Sequence, residues 1–354
     1  MQSRRTFLYT GLSTAMGASL AAQEDPQRPI VTTVFNVVVP VVVQDKDGNF
    51  VNGLEAKDFT LYDNKMAQDI RMDVSFVPIS MVVAVQANDV VEPLLGSIKK
   101  IGPLIEGLVL GQQGEAAILK FDHRIEVLQE FTNDGKLFTQ ALEKIKPGST
   151  TSAMIDSVFQ ATRMLRRRPS NQRRVLLLIA ETQDKGSEGR LREALLEAQF
   201  GNIQIYSVNI NRAVTKLLQK PQAPRPSPMP PGARPLPPGA PMTPNTVDQL
   251  TGYGNVLPVF VEIFTQVKGV FVSNPLEVFT EYTGGRQYSF LSLKSLEQVI
   301  AQIGEELHSQ YLLSYSPNEK VKLAGGWHDI LVDVAKPALK VRTRRGYWMA
   351  ANPL

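Results

Sequence analysis

Two uninterrupted apolar runs constrain the fold of this chain more than any other feature of its sequence. They are residues 81–85 (MVVAV) and 175–180 (VLLLIA), and such runs are typical of strands buried on both faces of a parallel sheet. Between the two runs, apolar residues recur at helical spacing, most clearly over 155–165. This alternation predicts an α/β fold over residues 76–316, a Rossmann-like, doubly wound and mostly parallel sheet. Residues 311–315 (YLLSY) are predicted to close that sheet.

β-branched residues dominate the region before this α/β pattern. Residues 37–43 are valine at every position except Pro40, and a proline is expected at an edge or a break between strands. We therefore predict a small antiparallel β segment over 23–75. Residues 317–354 are predicted to add further antiparallel strands, which pack with the N-terminal segment.

Composition excludes several kinds of chemistry. The chain has no cysteine, which excludes disulfides, thiolate metal sites and a cysteine nucleophile. Its 38 basic and 34 acidic residues give a formal charge of +4, too balanced to predict nucleic acid as the main partner. No glycine-rich nucleotide-binding motif follows a strand. We therefore expect no cofactor and no enzymatic activity.

The first 22 residues have the pattern of an export signal. Arg4 and Arg5 precede an apolar stretch of small residues, which ends at Ala21-Ala22. This stretch is too short to span a bilayer, which takes about 20 apolar residues. The pattern predicts a twin-arginine-type signal peptide over residues 1–22. We therefore expect an exported protein, periplasmic or extracellular, with no transmembrane segment in the mature chain.

Proline is concentrated in one segment inside the α/β region. Residues 221–244 hold eleven of the chain's 24 prolines, with glycine and alanine between them. Such a composition favours an extended, polyproline-like conformation. We interpret the segment as an insertion or spacer in the α/β domain.

Several short motifs, in a fixed order, resemble a known family. The segments 148–156 (GSTTSAMID) and 175–187 are similar to those of a von Willebrand factor type A (vWA) domain. The flanking motifs at 43–48 (VQDKDG), 54–59 (LEAKDF) and 341–347 (VRTRRGY) resemble, more narrowly, the VWFA-related proteins of Acidobacteria. The likeness extends over nearly the whole chain after the predicted signal, and it implies a vWA fold.

The resemblance also implies a metal-ion-dependent adhesion site. In the family, an Asp-x-Ser-x-Ser motif, a Thr and an Asp hold Mg²⁺ or Mn²⁺ at the carboxyl ends of the strands. The positions of this chain that align with them are Gln86, Asn88, Val90, Ser152 and Glu181. A valine cannot ligate a metal, and Gln86 is neutral where an anion is usual. We therefore expect a degenerate site that holds no metal.

The function that follows is binding of another protein, without catalysis and without a metal. The candidate partner-binding residues are Gln86, Asn88, Asp89, Ser152 and Glu181. One alternative is a metal-dependent adhesion module with a shifted Mg²⁺ or Mn²⁺ site built on Asp89, Ser152 and Glu181. A second alternative is an unrecognised hydrolase, which would need a serine and an aspartate beside His123, His308 or His328.

Overall fold

The computed structural model describes residues 36–73, 77–107, 113–210, 274–290, 292–317 and 326–349. The predicted signal segment, with Arg4 and Arg5, and the proline-rich segment 221–244 lie outside these residues. None of the helices in the described ranges is long and apolar enough to cross a membrane.

The described ranges contain strands and helices with the following bounds. The strands are β1 (Val37–Gln44), β2 (Phe59–Asp63), β3 (Met66–Gln68), β4 (Arg71–Asp73), β5 (Ile79–Gln86), β6 (Glu115–Phe121), β7 (Ile125–Thr132), β8 (Arg173–Ala180), β9 (Ile203–Ile210), β10 (Gln287–Phe290), β11 (Tyr311–Tyr315), β12 (Gly326–Val334), β13 (Lys340–Thr343) and β14 (Gly346–Met349). The α-helices are α1 (Glu92–Ile98), α2 (Gly102–Ile105), α3 (Gly135–Glu143), α4 (Met154–Arg166), α5 (Leu191–Phe200), α6 (Pro275–Thr283) and α7 (Leu293–Ser309).

A six-stranded sheet with the order β10-β9-β8-β5-β6-β7 forms the centre of the molecule. Its strands are parallel except for β7, which pairs antiparallel with β6. The chain starts in the middle at β5, extends to one side through β6 and β7, and then crosses to the other side through β8. This is the strand order of a doubly wound sheet, and it confirms the predicted fold class.

Helices cover both faces of this sheet, so β5 is buried along its whole length. Met81, Val83 and Val85 contact the layer that contains α1, α3 and α7. Val82 and Ala84 face the opposite layer of α4, α5 and α6. Because successive side chains of a strand point to opposite faces, each helical layer packs against every second residue of β5. The apolar run seen in the sequence is explained by these two layers.

A second core lies in a β-sandwich formed by both ends of the described chain. Its two sheets have the orders β13-β1-β11-β4 and β14-β12-β2-β3. β1 pairs with β13 and β2 with β12, so each sheet combines N-terminal and C-terminal strands. Side chains from both sheets, including Val39, Leu61, Leu313 and Val332, form a single buried cluster. Antiparallel strands from the two ends therefore flank the central sheet, as the predicted fold class requires.

Two local predictions are wrong. β11 pairs with β1 and β4 in the sandwich, so it does not close the parallel sheet, which instead ends at β10. Leu313 and Tyr315 are buried and alternate with more exposed neighbours, which suits a strand with one buried face. Pro40 neither ends a strand nor lies on an edge, because β1 continues through it and has neighbours on both sides. Pairing with β13 starts only at Val41, next to the proline.

The sandwich contacts the α/β part at the amino-terminal edge of the parallel sheet. Arg342 of β13 donates a 2.6 Å hydrogen bond to the carbonyl of Gly285, which precedes β10. Gln199, near the end of α5, donates to the carbonyls of Tyr282 and Gly346 at 2.9 and 3.2 Å. Helices of an α/β unit end at the edge where strands begin. Within the described residues, these contacts therefore lie away from the opposite edge, where the parallel strands end.

A buried carboxylate connects the strands of the sandwich. Asp63 accepts hydrogen bonds from the hydroxyls of Tyr315 and Tyr347 at 2.7 and 2.8 Å, and its other oxygen lies 2.9 Å from His328 Nδ1. Asp63 and His328 are both fully buried. Burial, together with Asp63, raises the pKa of both tyrosines, which keeps their hydroxyls protonated as donors. Residues from three other strands thus depend on this one carboxylate.

We expect Asp63→Ala to lower the free energy of unfolding by about 3–5 kcal/mol, because it leaves three buried partners without their acceptor. Urea unfolding followed by circular dichroism measures the change. Asp333→Ala is the matched control, because this aspartate lies exposed on β12 and should alter stability by less than about 0.5 kcal/mol. Equal effects of the two substitutions would contradict the role given to Asp63.

Candidate functional site

The candidate residues converge where β5 and β8 end. These adjacent strands start the two halves of the sheet, so the gap between their carboxyl ends is the topological switch point of the fold. Open α/β sheets generally bind ligands at this position. We call the loops at this edge, residues 86–91, 122–124, 147–153 and 181–187, the carboxyl-edge surface.

Gln86 is the last residue of β5, and both the nitrogen and the oxygen of its side-chain amide form hydrogen bonds. Its Nε2 donates to Asn88 Oδ1 at 3.0 Å and to Glu181 Oε1 at 3.2 Å. Its Oε1 accepts from the backbone N–H of Glu181 at 2.9 Å. A backbone N–H can only donate, so the oxygen of the amide must face Glu181 N and the nitrogen must face the two side-chain oxygens. All three side chains are at most 2% exposed.

This arrangement does not fit the Mg²⁺ or Mn²⁺ that the resemblance implies. The oxygens of Asn88 and Glu181 that could ligate a cation instead accept both hydrogens of the Gln86 amide. The alignment also places Val90, which has no ligating atom, at a ligand position. A hard cation requires oxygen ligands with net negative charge, and here an amide N–H₂ satisfies the oxygens in its place.

The loop before α4 holds the other loops together. The N–H of Gly148 donates to Ala87 O at 2.6 Å, and the N–H of Asp89 donates to Ser149 O at 3.0 Å. On the other side, the carbonyl of Ser152 accepts from the N–H groups of Lys185 and Gly186 at 3.1 and 3.0 Å. The structure therefore brings Gln86, Asn88, Asp89, Ser152 and Glu181 into one set of connected loops.

Asp184 fixes the loop after β8 against the start of α4. Its Oδ2 accepts from the backbone N–H of Ile155 at 2.7 Å and from the hydroxyl of Ser187 at 2.6 Å. The hydroxyl of Ser187 in turn accepts from Asp156 N at 3.1 Å. The first N–H groups of this helix are thus satisfied by another loop, since its N-cap residue, Ala153, has no side-chain acceptor. The sequence alone did not single out Asp184, because the residues it caps lie about 30 positions away.

Two buried oxygens at this edge accept no hydrogen bond within the described residues. They are Oδ1 of Asp89 and Oγ of Ser152. Ser152 is only 2% exposed, and Asp89 is half-buried. Buried polar atoms are nearly always paired in folded proteins, so an unpaired carboxylate oxygen and an unpaired hydroxyl in these connected loops are unusual.

His123, one of the histidines named for the hydrolase alternative, lies beside a serine and an aspartate. Its Nδ1 is 2.7 Å from Ser149 Oγ and 3.2 Å from Asp122 Oδ1. Asp122 also accepts from the backbone N–H groups of Arg124 and Ser149 at 2.7 and 2.8 Å. Although burial opposes ionisation, these donors and His123 lower the pKa of Asp122.

Sequence reasoning missed this group, because Asp122 and Ser149 lie 27 positions apart. The structure shows why residue 148 is a glycine, since a Cβ atom there would lie 1.8 Å from Asp122 Oδ2. The group does not have the geometry of a catalytic triad, in which the serine and the aspartate contact different nitrogens of the imidazole. Here both contact Nδ1. His328, bonded to Asp63 in the sandwich, and His308, in the last turn of α7, lie outside these loops.

No model of a known protein family matches the chain, and no curated protein matches it. Solved structures similar to it include the conserved hypothetical protein BatB from Bacteroides thetaiotaomicron, at 17% identity and a TM-score of 0.39, covering 65% of this chain and 98% of BatB. An aerotolerance-related membrane protein from Bacteroides fragilis is 14% identical, with a TM-score of 0.39 and coverage of 64% and 99%. The vWF domain of the type V pili tip protein Mfa5 from Porphyromonas gingivalis is 15% identical, with a TM-score of 0.27 and coverage of 31% and 40%. At these values, the fold assignment rests on the strand order of the chain itself.

Gln86→Glu keeps the shape of the side chain but replaces the donating nitrogen with an oxygen. We expect it to lower the free energy of unfolding by about 3–5 kcal/mol near pH 7, because it buries a second carboxylate against Glu181. Urea denaturation measures the loss. Gln183→Glu makes the same chemical change on an exposed side chain of the same loop and should cost less than about 0.5 kcal/mol. Full stability of Gln86→Glu would show that the amide hydrogen bonds are dispensable.

Proposed function

We propose that this chain is an exported vWA-type module that binds another protein at its carboxyl-edge surface, without catalysis and without a metal ion. The observation that carries the proposal is the Gln86 amide, which fills the hydrogen-bonding needs of Asn88 and Glu181 from within the chain. The edge is therefore assembled before any ligand arrives. Preformed surfaces lose less conformational entropy on binding than surfaces that must first be ordered.

The exposed part of this edge supports a protein as the partner. Thr150, Thr151 and Thr182 are partly exposed residues of this surface. Its exposed side chains include Arg124, Gln183 and Lys185. A mixed polar surface of this kind can hydrogen-bond to a protein. Nucleic acid would instead favour a continuous basic stripe. Among the described residues, the contacts between the sandwich and the α/β part given above lie at the other edge of the sheet.

The absence of catalysis is supported by the geometry around His123. Ser149 and Asp122 compete for the same imidazole nitrogen, so no acceptor orients the ring for proton transfer from serine in the usual way. The carboxylate of Asp122 is already engaged by two backbone N–H groups. We therefore favour a structural role for this group, in which it fixes the loop that carries Ser149 and Thr150.

A shifted metal site is the second candidate, because Asp89 Oδ1 and Ser152 Oγ are buried without a donor. Mg²⁺ can be bound by one or two carboxylates with several waters, which would suit such a pair. Against this candidate, Glu181 Oε1 already accepts from Gln86. The two candidates differ in one simple respect, since only the second requires a divalent ion for partner binding.

Photo-crosslinking in the native cell envelope tests the proposed surface. A photoreactive amino acid at Thr150 or Gln183 should crosslink the same partner protein, because both positions lie at the carboxyl edge. Asn171 is the control position, exposed just before β8 at the opposite edge. Mass spectrometry identifies the products, and their yield should not change when EDTA is added. Equal products from Asn171 would refute the surface, and loss of yield with EDTA would favour the metal-dependent candidate.

Export depends on the predicted twin-arginine pair. Replacing both residues, Arg4→Lys together with Arg5→Lys, should keep the protein in the cytoplasm, because that export route requires the arginines for recognition. Cell fractionation with immunoblotting measures the distribution. Arg28→Lys, beyond the predicted signal, is the control and should not alter it. Unchanged export of the double variant would contradict a twin-arginine signal.

A further inference from the structure

The donors and acceptors of the carboxyl edge are not balanced. Every N–H of the Gln86 amide is used within the protein. The atoms left without a partner, Asp89 Oδ1 and Ser152 Oγ, are a carboxylate oxygen and a hydroxyl oxygen. A carboxylate can only accept, and a hydroxyl can accept as well as donate. The group that would complete this site is therefore a hydrogen-bond donor, and a positively charged one suits Asp89 best.

The surroundings of Asp89 reinforce this polarity. Its loop is bonded to the loop that carries Ser149, and Ser152 lies three residues further along that loop. Two other carboxylates, Asp122 and Glu181, lie at the same edge, and the lowered pKa of Asp122 keeps it ionised. Arg124 and Lys185 belong to these loops, but neither donates to Asp89 Oδ1. A partly buried carboxylate without a donor costs stability, and a cation from outside the chain would relieve that cost.

We propose that the protein partner presents a cationic nitrogen, a lysine or arginine side chain or a terminal amine, to Asp89 and Ser152. This inference rests on the proposed function and specifies the chemistry of the partner at the same site. Asp89 is partly exposed as a residue, although its unpaired Oδ1 is itself buried. Ser152 is only 2% exposed, and its hydroxyl oxygen is the second acceptor that this proposal assigns to the incoming nitrogen.

Amide NMR of the full chain with three small probes tests this polarity. Ethylammonium chloride should shift the amide resonances of Asp89, Ser149 and Ser152 in a saturable manner, relative to sodium chloride at equal ionic strength. Sodium acetate and magnesium chloride should not. Asp89→Asn, which has nearly the same shape, should weaken ethylammonium binding about tenfold, because a charge-assisted hydrogen bond is lost. Glu143→Gln, an exposed carboxylate at the end of α3, is the matched control and should bind as the natural chain does.

Each other outcome counts against the inference. Saturable shifts with acetate would mean that the site takes an anion, and shifts with magnesium alone would support the metal candidate. No response to any probe, or an undiminished response in Asp89→Asn, would also overturn it. The proposed function has its own test. If a partner crosslinks at Thr150 but the protein does not bind ethylammonium, protein binding is supported and only the cationic contact is refuted.

Discussion

The structure depends on the burial of β5 between two helical layers. Every residue of this strand from Ile79 to Gln86 is buried, and the strand lies between β6 and β8 at the centre of the sheet. A strand so placed can carry apolar side chains towards both layers, but a polar side chain at its end must find partners inside the protein. Gln86 finds them in Asn88 and Glu181, so the demand for buried hydrogen bonds determines how the loops at this edge are arranged.

The β-sandwich adds a second constraint, because it is made from both ends of the described chain. Val37 pairs with Tyr315, and Val43 pairs with Val341, so these strands meet only when distant segments have come together. Such pairings require closure of long loops, and folds rich in non-local pairings fold more slowly than folds with local contacts. The polar contacts of Asp63 then require the sandwich strands to adopt one particular register, since a slipped strand would separate its partners.

The sequence was most informative where hydrophobic periodicity alone determines structure. The runs at 81–85 and 175–180 predicted buried parallel strands, and both are found in the centre of the sheet. Short apolar segments were less informative. The segment 311–315 (YLLSY) could form a strand with one buried face or with two, and its composition does not distinguish the two cases. Its pairing with β1 places it in the sandwich. The candidate site residues were named from the sequence, but the hydrogen bonds that connect their loops were not. The bonds of Asp184 to α4 and of His123 to Ser149 join loops that the sequence separates by tens of residues.

The hydrogen-bond network of the carboxyl edge has a consequence for the chemistry of recognition. A metal ion at this edge would present positive charge to a partner and would attract a carboxylate. The Gln86 amide satisfies its neighbouring oxygens without adding net charge, so the negative charges of Asp89, Asp122 and Glu181 remain. In the proposed binding mode, these carboxylates face a cationic group of the partner, although Arg124 and Lys185 are exposed in the same loops. Sequence changes that leave the backbone unaltered can thus invert the polarity of a binding edge, because the edge is defined by its donors and acceptors and not by its fold.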